Sequence, residues 1–477
     1  MTKPASDLHT RPDFCVIFAP PSGATMKQKS SVNNSCRFVY RMLMADRLTL
    51  RVVQKIGQFN LAMKPAMNVS PLILATAALL LFAPSSHAAE VPPGIADPDT
   101  ALSDPIYHDP VFWWRMSSLP KDVFEPDPYF YWPPAVIKGA PGPFLPAATT
   151  GKETVTPKAL EAASAWAQSH ESSALVVIHR GKVQLEQYWK TVSANQLTNG
   201  RAITRSVTPM LLGFAVADGN LKLDDPISQY ITEWRNDQRG QITVRQLAQN
   251  VSGLEVTEPL PVTQVYGNKD LCLAYCGDVV RAALNYDHTN PPGTRFEVAQ
   301  ENTQLLALVI ERAMDVPVQQ LLSERVWKKI GASDAAFQFD RPNGTARVMC
   351  CMRATPRDWA RFGVLVMQNG RWNGQQVLPK GWVETMATPS ARNPSFGLGL
   401  WLGSPYVASR SYFEGKPGGM PQSEPFLADD VRMMEGGGFR TVYMVPSRDL
   451  MILRLGQQVS DWDHAALVNT VIRGMKR

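Results

Sequence analysis

The spacing of apolar residues predicts regular secondary structure from residue 156 onward. Thr156 and Pro157 begin a helix, since threonine is a good N-cap and proline fits the first helical position, and apolar residues follow at helical spacing. Two β-rich runs, Ala174–His179 and Lys182–Trp189, come next and are separated only by Arg180-Gly181. This arrangement predicts a β-hairpin.

The order of elements along the rest of the chain predicts an α+β fold. Residues from about 200 to 340 have the pattern of helices and loops, and strand-like runs return at Phe396–Leu402, Phe439–Val445 and Leu450–Leu455. An amphipathic helix over about 461–475 closes the chain. Strands near both ends favour an antiparallel sheet built from both chain ends, flanked by helices, with an inserted helical domain.

Composition divides the chain into segments that differ in charge, hydropathy and proline content. They are a dubious leader at 1–62, a signal peptide at 63–88, an arm rich in proline and aromatic residues at 89–150, and one folded domain at 151–477, with its α/β part at about 151–195 and 340–477 and its helical part at about 196–339. We expect the arm to pack its rings on the main body, because so many prolines exclude long helices and central strands. A carbohydrate-binding aromatic platform is the alternative.

The net charge of +6 does not indicate a nucleic-acid or membrane-surface partner. Residues 1–62 carry the whole positive excess, so the chain from Glu90 onward is nearly neutral. We therefore expect no nucleic acid among the partners.

The segment before the arm has the pattern of a secretory signal that begins at Met63. Lys64 supplies the positive charge, Leu72–Phe82 the short apolar run, and Ser86-His87-Ala88 the small-residue cleavage site. This pattern predicts a periplasmic or secreted protein with no stable membrane span after signal removal, and it makes 1–62 the product of an upstream start-codon assignment. The alternative is a buried apolar helix or an anchor that stays attached.

Cysteine usage is compatible with export. Cys272 and Cys276 are candidates for a disulfide in an oxidising compartment. We expect the adjacent Cys350 and Cys351 to be buried thiols. No Cys/His spacing suggests zinc, and we expect neither a metal nor another cofactor.

Several sequence blocks occur together and in a fixed order. They are Ser173–Trp189, Gly213–Pro226, Ile242–Leu254, Pro291–Phe296, Asn302–Glu311, Ala354–Gly363, Gly370–Val383 and Phe439–Leu450. Over about 156–475 the chain resembles the serine β-lactamase and penicillin-binding-protein-like superfamily, in the class C β-lactamase-related group and the branch of 6-aminohexanoate-dimer hydrolases. The resemblance implies the β-lactamase-like fold and acyl transfer through a serine acyl-enzyme.

The residues that handle protons in that family are replaced here. The family's S-x-x-K motif falls on Ala202 to Arg205, so the nucleophile position has no hydroxyl and the lysine position holds a guanidinium whose pKa is too high for a base. The family's second-motif tyrosine falls on Val298. We therefore expect impaired catalysis, with Ser206 as a fallback nucleophile.

The resemblance also implies which residues line a ligand cleft. They are Arg205, Asn302, Gly437, Gly438 and Arg440, with Gly437 standing where many relatives carry histidine. The two arginines could bind a carboxylate or phosphate. Alternatively, each pairs with an internal acid such as Glu301 or Glu435.

The start of the catalytic helix is predicted to be altered. Pro209 lies where the first turns of that helix should be, so we expect the helix to begin late, with Thr208 as N-cap, and the turn at Ala202–Arg205 to be unwound.

Two function classes follow. The first is an exported homologue that binds a small-molecule, peptide-like or anionic ligand without hydrolysing it. The second is a working amide or ester hydrolase with a non-standard nucleophile such as Ser206. A structural protein that assembles through its aromatic arm is a third, weaker hypothesis.

Overall fold

The computed structural model describes Ile106 and residues 108–118, 132–256, 267–416 and 418–476. All of them belong to one compact unit, His87–Arg477. The predicted leader and signal peptide lie outside the described residues, as does part of the arm.

Short helices and strands alternate along these residues. The helices are α1 Pro110–Ser117, α2 Pro157–Ser169, α3 Val207–Ala217, α4 Val244–Ala248, α5 Lys269–Tyr275, α6 Val279–Leu284, α7 Gln300–Met314, α8 Val318–Leu322, α9 Pro356–Met367, α10 Trp382–Met386 and α11 His464–Arg473. The strands are β1 Pro134–Ile137, β2 Ser172–His179, β3 Lys182–Tyr188, β4 Thr198–Asn199, β5 Ala335–Phe339, β6 Ala346–Arg347, β7 Arg353–Ala354, β8 Arg371–Trp372, β9 Gln375–Gln376, β10 Trp401–Leu402, β11 Ser409–Arg410, β12 Met420–Pro421, β13 Arg432–Gly436, β14 Arg440–Val445 and β15 Leu450–Gly456.

A six-stranded antiparallel sheet unites the two ends of the domain. Its order is β10-β13-β14-β15-β2-β3, so the late strand β15 pairs with the early strand β2 and places Ile452 opposite Val177. Every residue of β2 and β15 is buried, because α2 and α11 cover one face of the sheet and α9 covers the other. The α+β fold and the sheet built from both chain ends are confirmed.

The predicted first helix and hairpin are present. Thr156 is the N-cap of α2 and Pro157 is its first residue. Arg180 and Gly181 join β2 to β3 with φ of +51° and +67°, the left-handed pair that a two-residue hairpin turn needs.

The predicted strand at Phe396–Leu402 is much shorter in the structure, because only Trp401–Leu402 is a strand. Gly399 has φ of +68°, and Gly397 donates its N–H to the carbonyl of Leu400. The chain therefore turns back on itself within the apolar run, which the pattern of hydrophobic residues does not reveal.

A second sheet, which the sequence did not predict, ties the arm to the domain. Its order is β1-β5-β7-β4, with β6 beside β5, and Ala135 of the arm is paired with Phe337. The proline-led strand β1 lies at the edge of this sheet, where a missing N–H is tolerated. Trp113 and Trp132 stay 39% and 42% exposed, so the rings of the arm are only partly packed.

None of the described helices is both long and apolar enough to cross a membrane.

Candidate functional site

A cleft of about 430 Å³ lies where three segments meet. They are the 3-10 turn Arg201–Ser206 before α3, the beginning of α7, and the turn between β13 and β14. The first segment holds Ala202 and Arg205, the second begins just after Val298, and the third holds Gly437, which stands where many relatives carry histidine.

The 3-10 turn is held against the loop that ends at Met352. Gly200 donates its N–H to the carbonyl of Met352 at 2.9 Å, and Met352 donates its own N–H to the hydroxyl of Thr204 at 3.0 Å. Cys351 donates to the carbonyl of Arg201 at 3.2 Å. These bonds fix the turn independently of the helix that follows.

The α-helix begins after the motif positions, as predicted, but at a different residue. The turn at Arg201–Ser206 is 3-10, and α3 starts at Val207 with Ser206 in the N-cap position. The prediction that Thr208 caps the helix is wrong. Pro209 is the third helical residue, where its missing N–H has no intrahelical partner to lose.

Ala202, Arg205 and Ser206 all line the cleft. The Nε of Arg205 donates to the carbonyl of Met349 at 3.1 Å. Burial lowers the pKa of Arg205, while the nearby carboxyls of Glu301 and Glu435 raise it. The hydroxyl of Ser206 donates to the carbonyl of Gly399 at 2.6 Å.

Two of the predicted site residues, Val298 and Asn302, lie near the start of α7, but only Val298 lines the cleft. Asn302 is buried outside the cleft lining, and its Nδ2 donates to Oδ1 of Asn250 at 3.4 Å. The prediction that Asn302 faces the ligand is wrong, because the helix turns this residue toward the interior of the helical part.

Three consecutive glycines, Gly436–Gly438, form the end of β13 and the turn that leads to β14, and their surroundings differ. A Cβ on Gly436 would lie 2.8 Å from the carbonyl oxygen of Gly200, so the strand can approach the 3-10 turn only without a side chain. Gly438 has φ of +83°. Gly437 and Gly438 line the cleft, and a Cβ on Gly437 would meet nothing nearer than Nε of Arg201 at 3.6 Å.

Arg440 is not a cleft residue. Its side chain is fully buried, its Nε donates to the carbonyl of Gly456 at 3.1 Å, and its Nη1 donates to the carbonyl of Asn199. The expectation that two arginines face one pocket is therefore wrong. Arg440 connects β14 to the neighbouring backbone, and Arg205 alone lines the cleft.

Among the described residues, three carboxyl groups line the cleft with Arg205: Asp270, Glu301 and Glu435. Burial raises the pKa of Glu301 to about 8, and Arg205 partly opposes this rise. Burial also raises the pKa of Glu435 to about 8, against a hydrogen bond from Tyr412 and the charge of Arg205. No group of three metal-ligating side chains is arranged for a metal ion within the described part of the chain.

The acidic residues of the cleft differ in how far the sequence indicates them. The sequence offers Glu301 and Glu435 only as examples of internal acids that could pair with the two arginines. Asp270 and Tyr412 carry no local signal, since they come from α5 and from a loop far along the chain.

Both cysteine pairs are disulfides, Cys272–Cys276 and Cys350–Cys351. The first bridge was a candidate from the sequence. The prediction that Cys350 and Cys351 are free thiols is wrong. The backbone of their loop, with Cys351 at φ of +73°, brings the two adjacent sulfurs together.

Comparison with known proteins agrees with this fold. A family model described as Beta-lactamase matches residues 158–471. A β-lactamase from Pseudomonas fluorescens is 26% identical over 167 residues, which are 33% of this chain and 43% of the relative. The 6-aminohexanoate-dimer hydrolase of Paenarthrobacter ureafaciens is 31% identical over 98 residues, 20% of this chain and 25% of the relative. The matches thus span less than half the length of these curated relatives.

Among solved structures, a Bacillus anthracis protein with a provisional assignment as a 6-aminohexanoate-dimer hydrolase superposes with a TM-score of 0.58. It is 19% identical and the superposition covers 76% of this chain and 93% of that protein. At 19% sequence identity, this similarity shows only that the two proteins share a fold. Because the family model matches well over half of the chain, in the same region that forms the sheet and the cleft, the protein belongs to the β-lactamase family.

Proposed function

We propose that this chain is an exported, non-hydrolytic member of the β-lactamase family that binds a small or peptide-like ligand in its cleft. The observation that carries the proposal is the composition of the cleft at the motif positions. Ala202 provides no nucleophile, and the described residues that line the cleft include no lysine and no histidine to act as base. Loss of a serine nucleophile costs about a million-fold in turnover.

A second candidate function is hydrolysis with Ser206 as nucleophile, because this hydroxyl does line the cleft. However, its proton is already donated to the carbonyl of Gly399, and a carbonyl oxygen cannot accept the proton fully as a general base does. This hydrogen bond therefore argues against Ser206 as the nucleophile.

An acyl-enzyme trap separates the two candidates. Purified mature protein is incubated with a fluorophosphonate probe and with labelled penicillin, and intact mass is measured. We expect no adduct on the wild type. An adduct that maps to Ser206 and disappears in Ser206→Ala, but persists in the control variant Ser164→Ala on α2, would overturn the proposal.

Export is the second part of the proposal. The two disulfides support it, because disulfides persist mainly in oxidising compartments. Fractionation of the native host, with N-terminal sequencing of the protein, tests it. We expect a mature N-terminus near Ala89 in the periplasmic or secreted fraction, whereas an intact Met1 in the cytoplasm would contradict export.

A further inference from the structure

Arg205 retains hydrogen-bonding capacity toward the cleft. Its Nε is bound to the carbonyl of Met349, whereas its terminal nitrogens form neither a hydrogen bond nor an ion pair within 4 Å among the described residues. A partly buried guanidinium with two unused nitrogens is a bidentate site for a carboxylate or a related anion.

Glu301 and Glu435 each have a carboxyl oxygen that can still accept a hydrogen bond from a ligand. They are 1% and 8% exposed, both line the cleft, and the Oε1 of each has no hydrogen-bond partner among the described residues. Buried polar atoms are normally paired, so each of these atoms requires an explanation. Both carboxyls lie close enough to Arg205 to affect its pKa, yet neither forms an ion pair with it in the described structure.

We propose that the cleft binds a small zwitterion, whose carboxylate is bound by Arg205 and whose protonated amine is bound by Glu301 and Glu435. The inference rests on the proposed binding function and names its ligand class. An anion alone would leave both glutamates unpaired, and a cation alone would leave Arg205 unpaired beside a second positive charge. A molecule that carries both charges satisfies all three side chains.

The rest of the cleft suits the body of such a ligand. Trp401, Tyr412 and Phe413 present aromatic surface, which packs against aliphatic carbon and stabilises a nearby ammonium. The volume of about 430 Å³ is in the range of sites for small molecules and excludes a long folded segment.

Binding of the ligand's ammonium group also changes the protonation of Glu301 and Glu435. Burial holds the pKa of Glu301 and of Glu435 near 8, so both are largely protonated in the empty cleft at pH 7. The charged groups that act on Glu301 are Arg205, Asp270 and Glu297, and those that act on Glu435 are Arg205 and the hydroxyl of Tyr412. An ammonium group favours the ionised carboxylates, so binding at pH 7 releases protons to the buffer.

Calorimetry with matched ligands tests the inference. The probes are linear ω-amino acids and dipeptides with free termini, each measured beside its N-acetyl and its C-amide form. We expect at least one free zwitterion to bind, each capped form to bind about tenfold or more weakly, and the binding heat to change with the ionisation enthalpy of the buffer.

Variants assign the two ends of the ligand. Glu301→Gln and Glu435→Gln should each weaken the free zwitterion while leaving the N-acetyl form unchanged, and Arg205→Met should weaken the free form while leaving the C-amide unchanged. Glu324→Gln is the control, because this residue pairs with Lys328 at the surface and does not line the cleft. Circular dichroism checks that each variant is folded. If a variant unfolds, the comparison of capped and free ligands on the wild type decides the test.

The outcomes distinguish the two proposals. Equal affinity for capped and free ligands, or no binding by any zwitterion, overturns the ligand class even if the protein is never acylated. Conversely, turnover of a bound zwitterion overturns the non-hydrolytic function but leaves the ligand class intact.

Discussion

Arg205 donates from Nε to the main-chain carbonyl of Met349 at 3.1 Å, one residue before the Cys350–Cys351 disulfide. The same short loop contacts the backbone of Arg201 through Cys351. The cleft arginine is therefore positioned by a loop that the adjacent disulfide constrains, rather than by the helix on which the family places its lysine.

The first prediction concerns this loop. Replacing both cysteines, Cys350→Ser with Cys351→Ser, should increase hydrogen exchange of the amides of residues 200–206, because the loop that holds the 3-10 turn gains conformational freedom. The measurement is native-state hydrogen exchange by mass spectrometry. The control is Cys272→Ser with Cys276→Ser, which removes the bridge in α5 and should leave 200–206 unchanged. Equal exchange in both double variants would contradict the role of the loop.

The second prediction compares two adjacent glycines. Gly436→Ala should destabilise the protein by about 1–3 kcal/mol, because its Cβ would lie 2.8–3.0 Å from backbone atoms of Gly200, Ala202 and Ile203. Gly437→Ala should change the free energy of unfolding by less than about 0.5 kcal/mol, since its nearest neighbour is a flexible arginine side chain at 3.6 Å. Urea denaturation of both variants checks this. A larger loss at Gly437 would show that the turn is packed differently.

The third prediction concerns restored catalysis. Ala202→Ser alone should remain unlabelled by fluorophosphonate, because a serine hydroxyl needs a base and the guanidinium of Arg205 stays protonated. Adding Arg205→Lys and Val298→Tyr should produce measurable labelling at residue 202. Labelling of the single variant at the rate of the triple variant would mean that another group in the cleft acts as base.

The fourth prediction is a pH dependence of stability. The raised pKa of Glu301, about 8 in the folded state, means that the native state binds more protons than the unfolded state between about pH 4.5 and 8. This contribution to stability is thus lost as pH rises through that window. Glu301→Gln removes the effect, so its free energy of unfolding relative to wild type should increase by roughly 1–2 kcal/mol from pH 6.5 to pH 8.

Guanidinium denaturation at several pH values checks the sign. Two buried histidines do not interfere above pH 6.5, because burial lowers the pKa of His464 to about 3 and also lowers the pKa of His179. A difference between variant and wild type that stays constant or shrinks with rising pH would contradict a neutral, buried Glu301.

The fifth prediction concerns a buried ion pair that fastens the arm to α9. Arg361 donates to Oδ1 of Asp358 at 2.7 Å and to the carbonyl of Gly142 at 2.9 Å, with both charged side chains almost fully buried. Arg361→Met should cost about 3 kcal/mol, because it leaves a buried carboxylate without its partner. Lys138→Met, in the exposed pair with Asp334, should cost less than about 1 kcal/mol. Similar losses in the two variants, measured by urea denaturation, would refute the assignment.

Local sequence patterns were sufficient for elements whose stability is local. Thr156-Pro157 marked the start of α2, and Arg180-Gly181 marked the hairpin, because caps and tight turns depend on a few adjacent residues. They were not sufficient for β1 and β5, which pair across about two hundred residues and have no alternation that distinguishes them from loop and helix.

The sequence by itself determined that the motif positions hold Ala202, Arg205 and Val298. The side chains that transfer protons in the family are therefore absent from these positions. Only the tertiary structure decided which charges face the cleft. It buried Arg440 against backbone carbonyls and turned Asn302 away, while it brought Asp270 and Glu435 to the side of Arg205. The physical reason is that residue identity is a property of one position, whereas burial and electrostatic partnership depend on segments that only folding brings together.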